Sequence, residues 1–180
     1  MRKLKTYELG RISIDEYKKA DKLPLVVVLD NIRSLNNIGS IFRTVDAFRV
    51  EEIHLCGITA CPPQREIHKT ALGATDSVDW TYFEKTIDSV NLLKKKGYII
   101  LSLEQTNESI LLPEFEPVQN KKYAIILGNE VKGVEEKIIQ SSDFSIEIPQ
   151  LGTKHSFNVT VSAAIAIYDI ALKLKYIEMI

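Results

Sequence analysis

The chain has 180 residues, of which 45% are hydrophobic and 26% are charged, a composition typical of one ordinary folded domain. No apolar run reaches the roughly 18 residues that a membrane helix needs, and the first residues lack a signal-peptide hydrophobic stretch, so we expect a cytoplasmic protein without membrane contact. The net charge of -1 excludes a general positive charge of the kind many nucleic-acid-binding domains carry, and two cysteines are too few for a disulfide framework.

Residues 1–24 are predicted to form a short basic arm, followed by a single domain over residues 25–180. Residues 1–22 hold seven Lys and Arg against four Asp and Glu, a local positive excess in a chain whose charges are otherwise balanced. Such an arm is suited to phosphate contacts, and it is equally typical of a solvated terminus. Both interpretations stay open at this point.

The domain is predicted to begin with a strand at residues 25–29, because LVVVL is typical of a strand covered on both faces. A polar loop follows, and then a helix at residues 40–48 with Ser40 as its candidate cap. Strands and helices alternate along the rest of the chain, with a surface loop at residues 105–120. The strands are predicted at residues 53–56, 78–83, 98–103, 123–127 and 144–148, the helices at 66–72, 85–96 and 134–140, and one long helix from about residue 158 to the end.

This alternation predicts an α/β fold with a mostly parallel sheet that is covered by helices on both faces. Ligands of such sheets bind at the carboxyl ends of the strands. No glycine-rich phosphate loop follows a predicted strand, since residues 128–133 have the outer spacing of a P-loop but lack the Lys-Ser/Thr that completes it. We therefore expect neither a nucleoside triphosphate nor a pyrophosphate cofactor.

Three polar segments follow or adjoin predicted strands. We call them motif 1 (residues 30–44, DNIRSLNNIGSIFRT), motif 2 (residues 126–134, ILGNEVKGV) and motif 3 (residues 146–164, IEIPQLGTKHSFNVTVSAA). Each alone has an ordinary explanation as a turn, a solvated acid or a helix cap. Together and in this order they resemble the three motifs of the TrmH (SpoU) family of SPOUT-class RNA methyltransferases.

The resemblance implies a SPOUT-type fold with a C-terminal trefoil knot and a homodimer. It also implies transfer of a methyl group from S-adenosylmethionine to a ribose 2'-hydroxyl of tRNA or rRNA. Catalytic roles fall on Arg43, Asn37, Glu130, Ser156 and Asn158. Cofactor-binding roles fall on Leu127, Gly128, Ile148, Leu151 and Phe157. The chain departs from the family pattern at Leu35, where proline is usual, and at Phe157, where leucine is usual.

Arg43 is the central residue that the resemblance implies. A guanidinium keeps its proton at ordinary pH, so we expect Arg43 to clamp an RNA phosphate and polarise the 2'-hydroxyl instead of acting as a simple base. Glu130 is expected to orient Arg43 or other groups of motif 1.

Two other function classes compete with this interpretation. One is a catalytically silent relative that binds RNA or the cofactor without turnover; the complete set of polar motif residues argues against it. The other is an unrelated α/β enzyme with a small-molecule substrate, which the three ordered motifs disfavour. No metal is expected, because the spacing of the candidate ligands matches no common zinc pattern: His54, Cys56, Cys61 and His68.

Overall fold

A computed structural model describes residues 1–177, and within them the chain alternates between strands and helices. The strands are β1 (Leu23–Asp30), β2 (Val50–Cys56), β3 (Trp80–Phe83), β4 (Tyr98–Leu103), β5 (Ile110–Leu111), β6 (Lys122–Leu127) and β7 (Phe144–Glu147). The α-helices are α1 (Ile14–Lys19), α2 (Leu35–Ala47), α3 (Arg65–Ala71), α4 (Ala74–Ser77), α5 (Thr86–Lys95), α6 (Glu136–Ile139) and α7 (Val159–Lys173).

The seven strands form one sheet in the order β3-β2-β1-β6-β4-β7-β5. Every pair of neighbouring strands is parallel. β6 lies at the centre, between β1 and β4, although both of those strands precede it in the chain. All carboxyl ends therefore lie along one edge of the sheet, which is where ligands of such folds bind.

The sheet separates two apolar layers. Side chains of β1 alternate between them: Leu25, Val27 and Leu29 join a cluster with residues of α2, α3 and α7. Val26 and Val28 join a second cluster with residues of α5 and α6. Because β1 is buried on both faces, its run of branched apolar residues is the sequence that this position requires. The predicted α/β fold with a parallel sheet and helices on both faces is confirmed.

The start of α2 corrects one prediction. The helix begins at Leu35, five residues before the predicted start, and its N-cap is Ser34, whose side chain accepts a hydrogen bond from the Asn37 N–H. Ser40 is an interior residue of α2, so the prediction that it caps the helix is wrong. The asparagines and glycine of motif 1 were interpreted as loop residues, but packing and capping contacts from the rest of the fold override their weak helix propensity.

The last helix also ends earlier than predicted. α7 begins at Val159, as expected, but stops at Lys173, and Lys175 adopts the left-handed conformation with φ +56°. The Tyr176 N–H donates to the Ala171 carbonyl and the Lys175 N–H to the Leu172 carbonyl, the bonding of a Schellman helix end. The part of the predicted helix at residues 178–180 lies outside the described residues.

Three smaller differences concern the ends and connections of elements. The strand predicted from residue 78 begins at Trp80, and the helix predicted over residues 134–140 is only the short α6. The loop predicted at residues 105–120 contains β5 and a 3-10 turn at Leu112–Glu114, whose Leu112 is buried. Two-residue strands leave no alternation that a sequence pattern could reveal.

The N-terminal region includes α1 and leads into β1, which begins at Leu23, two residues before its predicted start. Tyr17 on α1 is buried and belongs to the main apolar cluster. The basic side chains of Arg2, Lys3, Lys5 and Arg11 are exposed. Among the described residues, no helix is long and apolar enough to span a membrane.

Candidate active site

The three motifs meet at the carboxyl edge of the sheet. Motif 1 starts at the last residue of β1, motif 2 continues from β6, and motif 3 leaves β7 and runs into α7. β1 and β6 are direct neighbours, paired from Leu25 with Tyr123 to Leu29 with Leu127. Segments that are far apart in sequence are thus brought side by side by the order of the strands.

The Glu130 carboxylate joins motif 2 to motif 1. One oxygen, Oε2, accepts a hydrogen bond from the Arg33 N–H at 3.0 Å. The other, Oε1, accepts from the Ser34 N–H at 3.0 Å and from the Asn37 side-chain amide at 2.9 Å. Because these groups stand at the beginning of α2, the carboxylate also suits the positive end of the helix dipole. Glu130 therefore holds the start of α2 in place.

Hydrogen bonding shifts the acidity of this carboxyl group. Partial burial raises the pKa of Glu130, but the hydrogen bonds donated by the Arg33 N–H, its own N–H, the Asn37 amide and the Ser34 N–H together outweigh it. The net effect is a pKa below the usual value of 4.5. Glu130 is consequently ionised at neutral pH and acts as an acceptor, not as a proton donor.

Asn37 connects motif 1 to motif 3. Its side-chain oxygen faces the side-chain amide of Asn158 at 3.5 Å. Asn158 is the N-cap of α7, and its oxygen accepts from the Thr160 N–H at 2.9 Å. Glu130, Asn37 and Asn158 thus form a continuous polar chain through all three motifs.

The backbone of motif 2 folds into a tight loop. Asn129 and Gly133 exchange two backbone hydrogen bonds, of 3.0 and 2.8 Å. The Asn129 side-chain amide also donates to the Asn31 carbonyl at 2.7 Å. A Cβ atom on Gly128 would lie 2.1 Å from the Val134 nitrogen, so only glycine allows this approach. The loop therefore presents bare backbone at the end of β6.

Two adjoining cavities open beside this loop. The larger, of about 670 Å³, lies between motif 2 and the start of α7, and the smaller, of about 80 Å³, lies under motif 3. Of the predicted site residues, six line the larger cavity: Leu127, Gly128, Glu130, Ser156, Phe157 and Asn158. Ile148, Ser156 and Phe157 line the smaller one. The cavities thus bring together most of the predicted cofactor-binding residues.

Three predicted site residues line neither cavity in the described part of the chain. Asn37 does not line the larger cavity itself, but its side chain contacts Glu130, which does. Leu151 is fully exposed, so its apolar side chain is not buried against any of the described residues. Arg43 is exposed in the middle of α2, and among residues 1–177 no carboxylate lies within ion-pair distance of it. Its guanidinium is therefore open to a ligand from outside.

Three residues without a predicted role line both cavities: Ser162 within motif 3, and Leu103 and Glu104 outside all three motifs. Leu103 and Glu104 stand at the end of β4 and directly after it, and β4 is the other neighbour of β6. The rule that ligands bind at carboxyl ends of parallel strands could have pointed to them. What the sequence lacked was the strand order, which alone reveals that β4 lies beside β6.

The four residues considered as metal ligands do not form a metal site among the described residues. His54 is buried and its Nδ1 lies 2.6 Å from the Ser89 hydroxyl, while Cys56 is buried in the layer under α5. Within the described ranges, no group of three His, Cys, Asp or Glu side chains is positioned to hold a metal ion.

Comparisons with known proteins agree with the arrangement of the motifs. The family model described as "SpoU rRNA Methylase family" matches residues 24–168. A relative from Borreliella burgdorferi, named an uncharacterised tRNA/rRNA methyltransferase, is 31% identical over 161 residues, which are 89% of this chain and 69% of the relative. A Staphylococcus saprophyticus protein, whose name assigns it to the TrmH family tRNA/rRNA methyltransferases, is 27% identical over 164 residues, 91% of this chain and 65% of the relative.

The chain spans 63% to 69% of the length of the curated relatives that it matches. Solved structures share its fold. A TrmH/SpoU tRNA modifying enzyme from A. aeolicus superimposes with a TM-score of 0.79 at 24% identity, covering 92% of this chain and 82% of the other. An AdoMet-bound rRNA methyltransferase from Sinorhizobium meliloti has a TM-score of 0.79 at 22% identity, covering 88% of this chain and 60% of the other. With a family model that matches most of its length and with this fold, the chain belongs to the SpoU rRNA methylase family, the TrmH (SpoU) family that its motifs resemble.

Proposed function

We propose that the chain transfers a methyl group from S-adenosylmethionine to a ribose 2'-hydroxyl of tRNA or rRNA. The observation that carries this proposal is the polar chain from Glu130 through Asn37 to Asn158, which joins all three motifs of the family beside the larger cavity. Relatives named tRNA/rRNA methyltransferases support the substrate class.

The residues around the cavities fit S-adenosylmethionine. Gly128 presents backbone without a side chain, and Leu127, Ile148 and Phe157 supply apolar surface for an adenosine. Glu side chains in the lining suit the positive charges of the sulfonium and ammonium groups. When bound, the cofactor supplies an electrophilic methyl group on sulfur. The protein's contribution is to hold the acceptor oxygen in line with it.

Arg43 is proposed to act on the RNA. Its guanidinium is exposed and has no carboxylate partner among residues 1–177. Two of its N–H groups are therefore available to bind two oxygens of one RNA phosphate. In that position it also polarises the neighbouring 2'-hydroxyl and stabilises negative charge that develops on the oxygen. Glu130 and Asn37 are positioning residues, because they fix the start of the helix that carries Arg43.

A homodimer is proposed from the surface of α7. Val161, Ile165, Tyr168 and Leu172 are spaced four, three and four residues apart, and between 36% and 51% of each side chain is exposed. This spacing produces an apolar stripe along one side of the helix, and monomeric proteins rarely leave such a stripe open to water. Because Arg43 lines neither cavity of its own chain, we infer that the complete site needs a second copy.

The proposal is tested by comparing 2'-O-methylnucleosides in tRNA and rRNA from cells with and without the gene, by mass spectrometry. One site should be lost on deletion, and it should return with the intact protein but not with Arg43→Ala. On RNA from the deleted strain, we expect purified Arg43→Ala to lose about 100-fold or more in rate, as removal of a transition-state charge donor does.

Arg43→Lys keeps the positive charge but not the planar fork, so we expect it to stay nearly inactive. Lys95→Ala removes an exposed positive charge from α5, on the other face of the sheet, and should methylate normally. If no 2'-O-methylnucleoside changes on deletion while the protein still binds S-adenosylmethionine, the proposed reaction is wrong and the chain is a silent binding relative.

A further inference from the structure

Glu104 is held where the two cavities meet. Its Oε2 accepts a hydrogen bond from the Val134 N–H at 2.9 Å, and its Oε1 accepts from the Gln105 N–H at 3.0 Å. A Cβ atom on Gly133 would lie only 2.2 Å from Oε2, so the motif 2 loop packs directly against the carboxylate. Both backbone contacts fix the position of the negative charge and leave the side chain lining both cavities.

The lining of the two cavities carries an excess of negative charge. Four Glu side chains line them, against the single Lys132 among the described residues: Glu104, Glu130, Glu136 and Glu147. Three of these carboxylates have side-chain partners. Glu130 accepts from Asn37, Glu136 from Gln140 and Glu147 from the Ser109 hydroxyl. Glu104 differs, because its partners in the described chain are backbone N–H groups.

The methyl donor and its product differ in charge. S-Adenosylmethionine carries a sulfonium that makes the molecule positive at neutral pH, whereas S-adenosylhomocysteine is a neutral thioether overall. A fixed negative charge in a partly buried cavity therefore favours the donor over the product through Coulomb attraction. We propose that Glu104 is a specificity-determining residue that makes this cleft prefer the positively charged donor to its neutral product. The inference rests on the proposed use of S-adenosylmethionine.

A structural role for Glu104 leads to a different expectation. If the carboxylate only holds the Val134 and Gln105 backbone, its loss disturbs the cavity and weakens the binding of the donor and of the product to the same extent. If its charge discriminates between the two ligands, the loss weakens the binding of the donor and leaves the binding of the product nearly unchanged. The ratio of the two dissociation constants separates these cases.

The experiment is isothermal titration calorimetry of the purified chain with S-adenosylmethionine, S-adenosylhomocysteine and sinefungin. Sinefungin carries an ammonium group in place of the methyl sulfonium, so it should follow the donor. We expect Glu104→Gln to reduce the preference for the donor about tenfold, as the loss of one nearby charge does. Glu104→Asp keeps the charge and should keep more of the preference. Salt should weaken donor binding by the unmodified chain more than binding by Glu104→Gln.

Glu108→Gln is the matched control, since it removes the same charge from an exposed residue that lines neither cavity in the described part of the chain. It should leave the ratio unchanged, and thermal unfolding should find both variants folded. Equal weakening of all three ligands by Glu104→Gln would overturn the inference and leave the proposed function standing. Failure of the unmodified chain to bind any of the three would overturn both.

Discussion

At the scale of single residues, the site depends on one carboxylate that reaches across the sheet edge. Glu130 and Asn37 are 93 positions apart in sequence, yet their side chains are 2.9 Å apart. Glu130 also accepts from the N–H of the N-cap residue Ser34, a group that a helix leaves without an intrahelical partner, and from the N–H of Arg33 directly before it. Losing this carboxylate should therefore affect the helix that carries Arg43 as well as the polar chain.

We expect Glu130→Gln to lower the melting temperature at pH 7 by about 2–4 °C, which corresponds to the roughly 1 kcal/mol that helix capping contributes. The difference should depend on pH. Hydrogen bonding lowers the pKa of the folded Glu130 below 4.5, so its stabilisation is complete above that pH and is lost as the pH falls through the folded value. The difference between the circular dichroism melting curves of the two proteins should thus narrow as the pH is lowered below 4.5.

The control for this prediction is again Glu108→Gln, whose melting curve should follow that of the unmodified protein at every pH. A difference that does not narrow at any pH below 4.5 at which the unmodified protein still folds would contradict the prediction.

Much of the candidate site could be predicted from the sequence, because three ordered motifs carry its polar residues. The expectation that Glu130 orients groups of motif 1 agrees with its contacts to Arg33, Ser34 and Asn37. Glu104 could not be found in this way, since nothing in its local sequence indicates that β4 lies beside motif 2. The catalytic and cofactor-binding roles assigned to the motif residues stay predictions, and the full exposure of Leu151 gives its role no support among the described residues.

At the scale of elements, α2 shows why local sequence is an incomplete guide. Its first turn contains asparagines, which favour turns in isolation, and its fifth residue is Gly39. The helix forms because Ser34 and Glu130 satisfy its first N–H groups and because α3 packs tightly over Gly39. The Ser34 cap is local, but the contacts with Glu130 and with α3 come from tertiary structure, so no pattern within residues 35–40 indicates those two.

Gly39→Ala tests the close packing of α2 on α3. A Cβ atom at this position would lie 2.1 Å from the Thr70 hydroxyl and 2.3 Å from the Ile67 carbonyl oxygen. Helix propensity alone predicts a stabilisation of about 1 kcal/mol, whereas the clash predicts a loss of about 1–3 kcal/mol in the free energy of unfolding. We expect the loss, measured by urea denaturation.

Gly152→Ala provides the comparison, because no atom lies within 4 Å of a Cβ atom there and the backbone is not left-handed. Its unfolding free energy should change little. Stabilisation by Gly39→Ala would contradict the packing described here.

At the scale of the whole molecule, the strand order is the feature that sequence patterns do not contain. Alternating strands and helices predicted the parallel sheet and its two helical layers correctly. They did not predict that β6 lies between β1 and β4, because patterns identify elements and not their neighbours. The trefoil knot implied by the family resemblance stays a prediction.

The proposed homodimer is tested by Ile165→Glu, which introduces a charge into the apolar stripe of α7. Light scattering after gel filtration should give the unmodified protein a mass near twice its 20.4 kDa and the variant a mass near 20.4 kDa. If the complete site needs two copies, the variant should also lose methylation while it remains folded by circular dichroism.

Val118→Glu adds the same charge at an exposed branched apolar residue outside the stripe, so it should remain dimeric and active. A monomeric unmodified protein, or a dimeric and active Ile165→Glu, would contradict the proposed interface.

The central position of β6 has a consequence for how the protein is made. A ribosome completes β1 and β4 before it reaches residue 122, and these two strands must leave a gap for a strand not yet synthesised. If β1 and β4 form before β6 is available, their facing edges remain unpaired, because β6 lies between them in the final sheet. The two facing edges are paired only once residues 122–127 have been added as β6, so the centre of the sheet depends on a strand that is synthesised late.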